Sequence, residues 1–112
     1  MAGWFELTKS DNGQFRFNLK AGNAETILSS EQYVTKASAQ NGITSVQSNS
    51  GTDARYESKT STNGKFFFNL KSGNSQVIGS SQMYATEASR DAGIASVKSN
   101  GSSTVVKDST TA

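Results

Sequence analysis

Glu6 and Glu57 stand at matching places near the starts of two similar stretches of this 112-residue chain. Brought together as a pseudo-dyad, two such carboxylates would shift each other's pKa and could do acid–base work. Both fall on strand-like runs among solvent-facing positions, so the expectation is that they are surface groups. The chain contains no histidine and no cysteine. That removes the commonest general base and metal ligand, every histidine-dependent triad, thiolate metal sites and disulfides. Lys20 and Lys71 are potential amine nucleophiles, but a solvated strand lysine accounts for them better. Tyr33 and Tyr84, with Ser29-Ser30 and Ser80-Ser81 upstream, recur at a strand-to-helix corner. A tyrosine there braces the corner with its ring packed and its hydroxyl bonded to backbone; the functional alternative is a small polar pocket at each corner. Neither a P-loop nor a dinucleotide fingerprint is present. The residues therefore predict a non-catalytic protein with no cofactor and no metal.

Binding chemistry has more to work with. Phe15, Phe17, Phe66 and Phe68 alternate along two strands, with Arg16, Lys20, Lys65 and Lys71 nearby. Aromatic rings beside cations on a sheet can stack the bases of single-stranded nucleic acid. Strand alternation, however, turns the phenylalanines and the basic residues to opposite faces. The rings are expected to be core, and the polar face to carry any binding. Arg16, Asn18, Lys20, Lys65, Phe67, Asn69 and Lys71 are the candidate binding residues. Phe67 is singular among them, an aromatic on the polar face where its counterpart is Arg16.

The elements that position these residues come in duplicate. The segment Glu6 to Asn49 recurs 51 positions later as Glu57 to Asn100, so one supersecondary unit is used twice. Each copy opens with two strand-like runs around an Asn-Gly: Trp4–Thr8 and Phe15–Lys20, then Arg55–Lys59 and Lys65–Lys71. Asn-Gly between aromatic-rich runs signals a hairpin. The turns Ala21-Gly22-Asn23 and Ser72-Gly73-Asn74 lead to third strands near Glu25–Ser30 and Gln76–Ser81, with glycine expected at the strained position. Thr35 and Thr86 read as helix N-caps. Ala39, Ile43 and Val46 make a helical stripe for the sheet; Ile94 and Val97 keep it, while Arg90 must snorkel or face solvent. Gly42 and Gly93 inside the helices predict close packing, and Asn49 and Asn100 fit the helix ends. Thr104–Lys107 reads as a closing strand.

Composition sets the bounds. A single copy of about 50 residues would bury too little surface to be stable alone, so both copies are expected to share one core. The reading is a single domain over residues 1–112, with repeats at about 1–52 and 53–108 and a flexible tail at 109–112. Ser, Thr and Asn outnumber the charged residues, which make up 18% of the chain. A net charge of +2 with pI near 9.0 is a weak sign of a nucleic-acid partner, because Lys and Arg are spread along both copies. Met1-Ala2-Gly3 leads straight into Trp4-Phe5 without the layout of a signal peptide, and Phe66-Phe67-Phe68 is far too short to span a membrane. The expected location is the cytoplasm.

The run Asn12-Gly13-Gln14-Phe15-Arg16-Phe17 with Leu19-Lys20, Ser30 with Tyr33, and Asn41-Gly42-Ile43 with Ser45-Val46 resembles the YegP-like family of small bacterial proteins of unknown function. The repeat mates carry the resemblance again. It implies a unit of three strands and a helix, with the strand after each helix exchanged between copies; Asp53–Glu57 and Thr104–Asp108 fit that role. The expected fold is α+β: tandem β(3)-α-β repeats in one antiparallel sheet, two helices on one face and a pseudo-twofold axis. The resemblance brings no catalytic residue. The expected function is a cytoplasmic binding or accessory module, monomeric, meeting a protein partner through its polar face or sheet edge. The alternative is weak nucleic-acid binding by the same face.

Overall fold

A computed structural model describes residues 3–110 of the chain. Seven strands and two helices follow in the order β1 (Trp4–Lys9), β2 (Phe15–Lys20), β3 (Thr26–Ser29), α1 (Lys36–Asn49), β4 (Tyr56–Thr60), β5 (Phe66–Lys71), β6 (Val77–Ser80), α2 (Glu87–Asn100) and β7 (Val106–Asp108). All strands join one sheet, ordered β4-β5-β6-β3-β2-β1-β7. The first six positions read the same from either end, so the pseudo-twofold axis passes between β3 and β6, where Ser29 faces Ser80.

Every neighbouring pair is antiparallel except the last, since β7 lies parallel to β1. The sheet is thus mixed where a wholly antiparallel one was expected, and chain order explains it. The strand after α1, β4, serves also as the first strand of the second copy and seats itself on β5. The matching seat beside β2 is already filled by β1. The strand after α2 therefore joins one place further out, antiparallel to β2 and hence parallel to β1. Both strands following helices still cross to the other copy. Asp53–Arg55 forms a 3-10 turn and contributes no strand, because it carries the chain from the end of α1 into β4.

The sequence pattern accounts for the elements. Thr35 and Thr86 cap α1 and α2, each hydroxyl accepting from the amide three residues on, Ser38 and Ser89. The hairpin turns place Gly13 and Gly64 at φ 82° and 81°, the left-handed region that favours glycine. In the following turns the left-handed residues are Ala24 and Ser75, at φ 71° and 67°. Gly22 and Gly73 do not take the strained position expected of them, because the turn closes one step later, with Ala24 N–H donating to Ala21 and Ser75 N–H to Ser72.

One face of the sheet is covered. Phe5, Leu7, Phe17, Leu19, Leu28, Phe68 and Leu70 are fully buried beneath Ala39, Val46 and Val97 of the helices. Of the four alternating phenylalanines, Phe17 and Phe68 are core and Phe15 packs against it, as expected, while Phe66 is half-buried beside Arg90. Arg90 snorkels: its guanidinium lies 5.8 Å from the Phe66 ring centre, bridged to Glu87 and Asp91. Of the expected flexible tail, Ser109 donates its N–H to Leu7 and Thr110 bonds Asp108; Thr111 and Ala112 lie outside the described residues.

Candidate functional site

The alternation that buries Phe5, Leu7, Phe17 and Leu19 turns Glu6, Arg16, Asn18 and Lys20 to the other, uncovered face. Register then lines up one row of side chains across the whole sheet. Lys107 sits beside Glu6, Glu6 beside Asn18 and Asn18 beside Ser29. Ser29 meets Ser80 at the axis, Ser80 sits beside Asn69, and Asn69 beside Glu57. Apart from Lys107 the row is a palindrome: Glu, Asn, Ser, Ser, Asn, Glu.

The two halves of the row are wired differently. In the second half Ser80 Oγ donates to Asn69 Oδ1 at 2.7 Å, and Asn69 Nδ2 reaches Glu57 at 3.5 Å. Lys71 bridges Glu57 at 2.9 Å and Lys59 approaches it at 3.6 Å. The Lys71 ammonium, helped by Asn69 and Lys59, holds the Glu57 carboxyl below the usual carboxylate range. In the first half Lys20 donates to Thr26 Oγ1 at 2.7 Å. Arg16 Nε and Asn18 Oδ1 are buried without a hydrogen-bond partner. Lys107 lies over the Trp4 ring, 4.2 Å from its centre.

Six of the seven predicted binding residues, Arg16, Asn18, Lys20, Phe67, Asn69 and Lys71, share this open face. Phe67 is half-buried there. Lys65 stands apart in the exposed hairpin turn, its backbone paired with Ser61. The predicted binding set left out Trp4, and also Glu6, Glu57, Ser29 and Ser80, which the sequence offers only as acids or as part of the corners. Alternation against buried Phe5 would have found Trp4, and the identity of the others across the copies was a usable signal. Glu6 and Glu57 lie five strand spacings apart, about 24 Å along the sheet. They form no dyad, and among the described residues no three carboxylates converge as metal ligands would.

The corner tyrosines line two clefts on the helix side. One, of about 480 Å³, lies between α1 and the β5–β6 turn, with Tyr33, Ser45 and Asn74 among its walls. Its repeat mate, of about 210 Å³, lies between α2 and the β2–β3 turn beside Tyr84. The Tyr33 ring stacks on Phe17 at 6.3 Å, and its backbone bridges Phe15, so the bracing role holds for the ring. Its hydroxyl, expected on a backbone group, instead ends against Gly42, where an added Cβ would lie 2.5 Å away. That contact is the physical reason for glycine inside each helix. Burial and the nearby Glu31 carboxylate raise the Tyr33 pKa.

Fold and face together define an internally duplicated α+β protein whose single sheet is roofed by helices on one side and open on the other. The chain belongs to the family described as a domain of unknown function, DUF1508, which matches it twice, over residues 10–57 and 61–108. Each matched unit ends in the strand that crosses to the other copy. The UPF0339 protein YegP of Escherichia coli strain K12 is 67% identical over 110 residues, covering 98% of this chain and 100% of its own. The UPF0339 protein of Shewanella oneidensis is 56% identical over 110 residues, with 98% and 100% covered. The solution NMR structure of E. coli yegP, described as a protein of unknown function, aligns with a TM-score of 0.94 at 66% identity, covering 100% of this chain and 97% of that one. The solution NMR structure of the Shewanella oneidensis protein aligns at 0.93 and 56% identity, covering 98% and 93%.

Proposed function

We propose that this protein is a non-catalytic binding or accessory module of the cytoplasm, working as a monomer, and that its open sheet face is the contact surface. One observation carries the reading. Polar residues of that face are the same in both copies, Glu6/Glu57, Asn18/Asn69, Lys20/Lys71 and Ser29/Ser80, although none belongs to the hydrophobic core and Asn69 alone of them is buried. Their neighbours on the same strands differ freely, as Thr8/Lys59, Arg16/Phe67 and Thr26/Val77 do. Surface residues without a packing role are free to drift, so retained polar identity on one face points to contact. A non-catalytic role fits a face whose two carboxylates stand too far apart to act together, in a chain without histidine or cysteine.

Capture from a native lysate tests this. The chain should retain a partner that is lost with Glu6→Ala, Asn18→Ala, Glu57→Ala and Asn69→Ala combined, and kept with the exposed helix substitutions Gln40→Ala and Thr44→Ala. Loss through the helix variant alone would move the contact surface. Oligonucleotide titration at low and physiological salt tests the nucleic-acid alternative, since phosphate contacts release counterions. Salt-sensitive binding abolished by Lys20→Ala with Lys71→Ala would replace the protein-partner reading.

A further inference from the structure

Differences between the copies, Thr26/Val77 first among them, divide the open face into a satisfied half and an available half. Lys20 pairs in register with Thr26, and Lys71 with Val77. Thr26 offers a hydroxyl and Lys20 turns to it at 2.7 Å. Val77 offers none, and Lys71 turns instead to Glu57 at 2.9 Å. Glu57 therefore has its cation, whereas Glu6 is left without the corresponding lysine. The neighbouring Lys107 lies over Trp4. Asn69 Oδ1 accepts from Ser80 at 2.7 Å, but its mate Asn18 presents a buried Oδ1 with no partner, and Arg16 on the same strand a buried Nε with none. Neither atom has surface of its own, so a partner reaches it only once its side chain turns outward. Buried polar atoms are almost always paired, and two orphans two residues apart mark the half of the face whose bonding is incomplete.

The chemistry of that partner follows from the groups. Glu6 and Asn18 sit side by side in register as two acceptors, and a donor-rich ammonium or guanidinium satisfies both. Arg16 is a donor and takes a carboxylate or carbonyl. Two residues of extended strand separate the two demands by about 6.6 Å, the repeat of another extended chain. A phosphate backbone has no cation to give Glu6, and the two clefts described above lie on the helix side and not on this face. We infer, on the reading that the open face is the contact surface, that its first-repeat half takes an extended polypeptide segment. That segment sets a Lys or Arg side chain on Glu6 and Asn18, and an acidic side chain two residues along on Arg16.

Amide NMR titration with acetyl-Thr-Lys-Thr-Glu-Thr-amide tests the inference in the full chain. Shifts are expected at Glu6, Arg16 and Asn18 and not at Glu57 or Asn69, with no such shifts from the all-acidic peptide acetyl-Thr-Glu-Thr-Glu-Thr-amide. Thr26→Val should turn Lys20 onto Glu6 and weaken binding about tenfold or more, the effect of one hydrogen bond to a charged group. Val77→Thr should free Glu57 and extend the shifts into the second half. Equal shifts in both halves of the unsubstituted chain, unchanged affinity in Thr26→Val, or no shift at the solubility limit of the peptide would each overturn the inference. In the first two cases the open-face reading survives, and in the third the lysate capture decides it separately. Shifts confined to the helices or to the β4 edge would remove both. A single-stranded oligonucleotide that moves Arg16 and Asn18 at low salt only would overturn the choice of a polypeptide.

Discussion

Ala24 and Ser75 hold φ 71° and 67° in turns that are otherwise ordinary. A side chain in the left-handed region costs about 1–2 kcal/mol, and part of that returns when glycine is substituted. Ala24→Gly and Ser75→Gly should each raise stability by about 1 kcal/mol in urea unfolding. A loss in either would mean that the turn is held by its side chain. Gly42 tests the opposite case. Alanine is the better helix former by about 1 kcal/mol, yet its Cβ would lie 2.5 Å from the Tyr33 hydroxyl and 2.8 Å from Phe17. Overpacking of this kind costs about 1–3 kcal/mol, so Gly42→Ala should destabilise the chain. Adding Tyr33→Phe should recover part of the loss, since the hydroxyl goes and the Phe17 contact stays. Full recovery, or none, would locate the crowding elsewhere.

Among the elements, β7 is the least integrated. Its three residues are all exposed, and it is held by backbone bonds to Phe5 and Leu7 and by the Lys36–Asp108 bridge at 2.5 Å. Lys36, with Thr110, holds the Asp108 carboxyl down at about 2. A depressed carboxylate stabilises the fold above its unfolded pKa, about 3.9, and loses that contribution as pH falls through the folded value. The thermal midpoint of the chain should therefore exceed that of Asp108→Asn by a constant margin above about pH 4. The margin should close between about pH 4 and 2. A margin that persists at the acid end would mean that the bridge does not anchor β7. The strands were legible from alternation and the helices from their caps, because both signals lie within a few residues. The seat of β7 was not, because it depends on β1 having already occupied the place beside β2.

At the scale of the whole molecule, repeat mates meet at the pseudo-twofold axis and cannot both be large. Leu28 and Gly79 are mates, and a Cβ on Gly79 would lie 2.7 Å from Leu28 Cγ. Ser50 and Gly101 are mates at the helix ends, where a Cβ on Gly101 would collide with the Ser50 side chain. Gly79→Leu alone should overpack the seam by about 1–3 kcal/mol. Leu28→Gly alone should empty it at a cost of about 3–5 kcal/mol. The double exchange, Leu28→Gly with Gly79→Leu, should restore most of the stability by moving the leucine across the axis. A double variant as unstable as the sum of the singles would show that the axis does not relate these positions. The core also draws on both copies, with α1 packed on β6 and α2 on β3. Residues 1–52 alone should therefore give the circular dichroism of an unfolded chain, and a stable folded monomer from them would show that each repeat carries its own core.

The sequence by itself determined what short-range physics controls: the duplication, the hairpins at Asn12-Gly13 and Asn63-Gly64, the threonine caps, and the division of each strand into an apolar and a polar face. Those signals act over a few residues and need no distant partner. Which residues the polar face brings into one row was legible only in part, since Arg16, Asn18 and Lys20 could be placed on a face but not set opposite Glu6, Ser29 or Lys107. Only the tertiary structure decided that Lys20 turns to Thr26 while the identical Lys71 turns to Glu57. The same holds for the crowding of mates at the axis. Register between strands far apart in sequence sets which side chains are neighbours, and a lysine's direction follows from whichever acceptor the neighbouring strand puts within its reach.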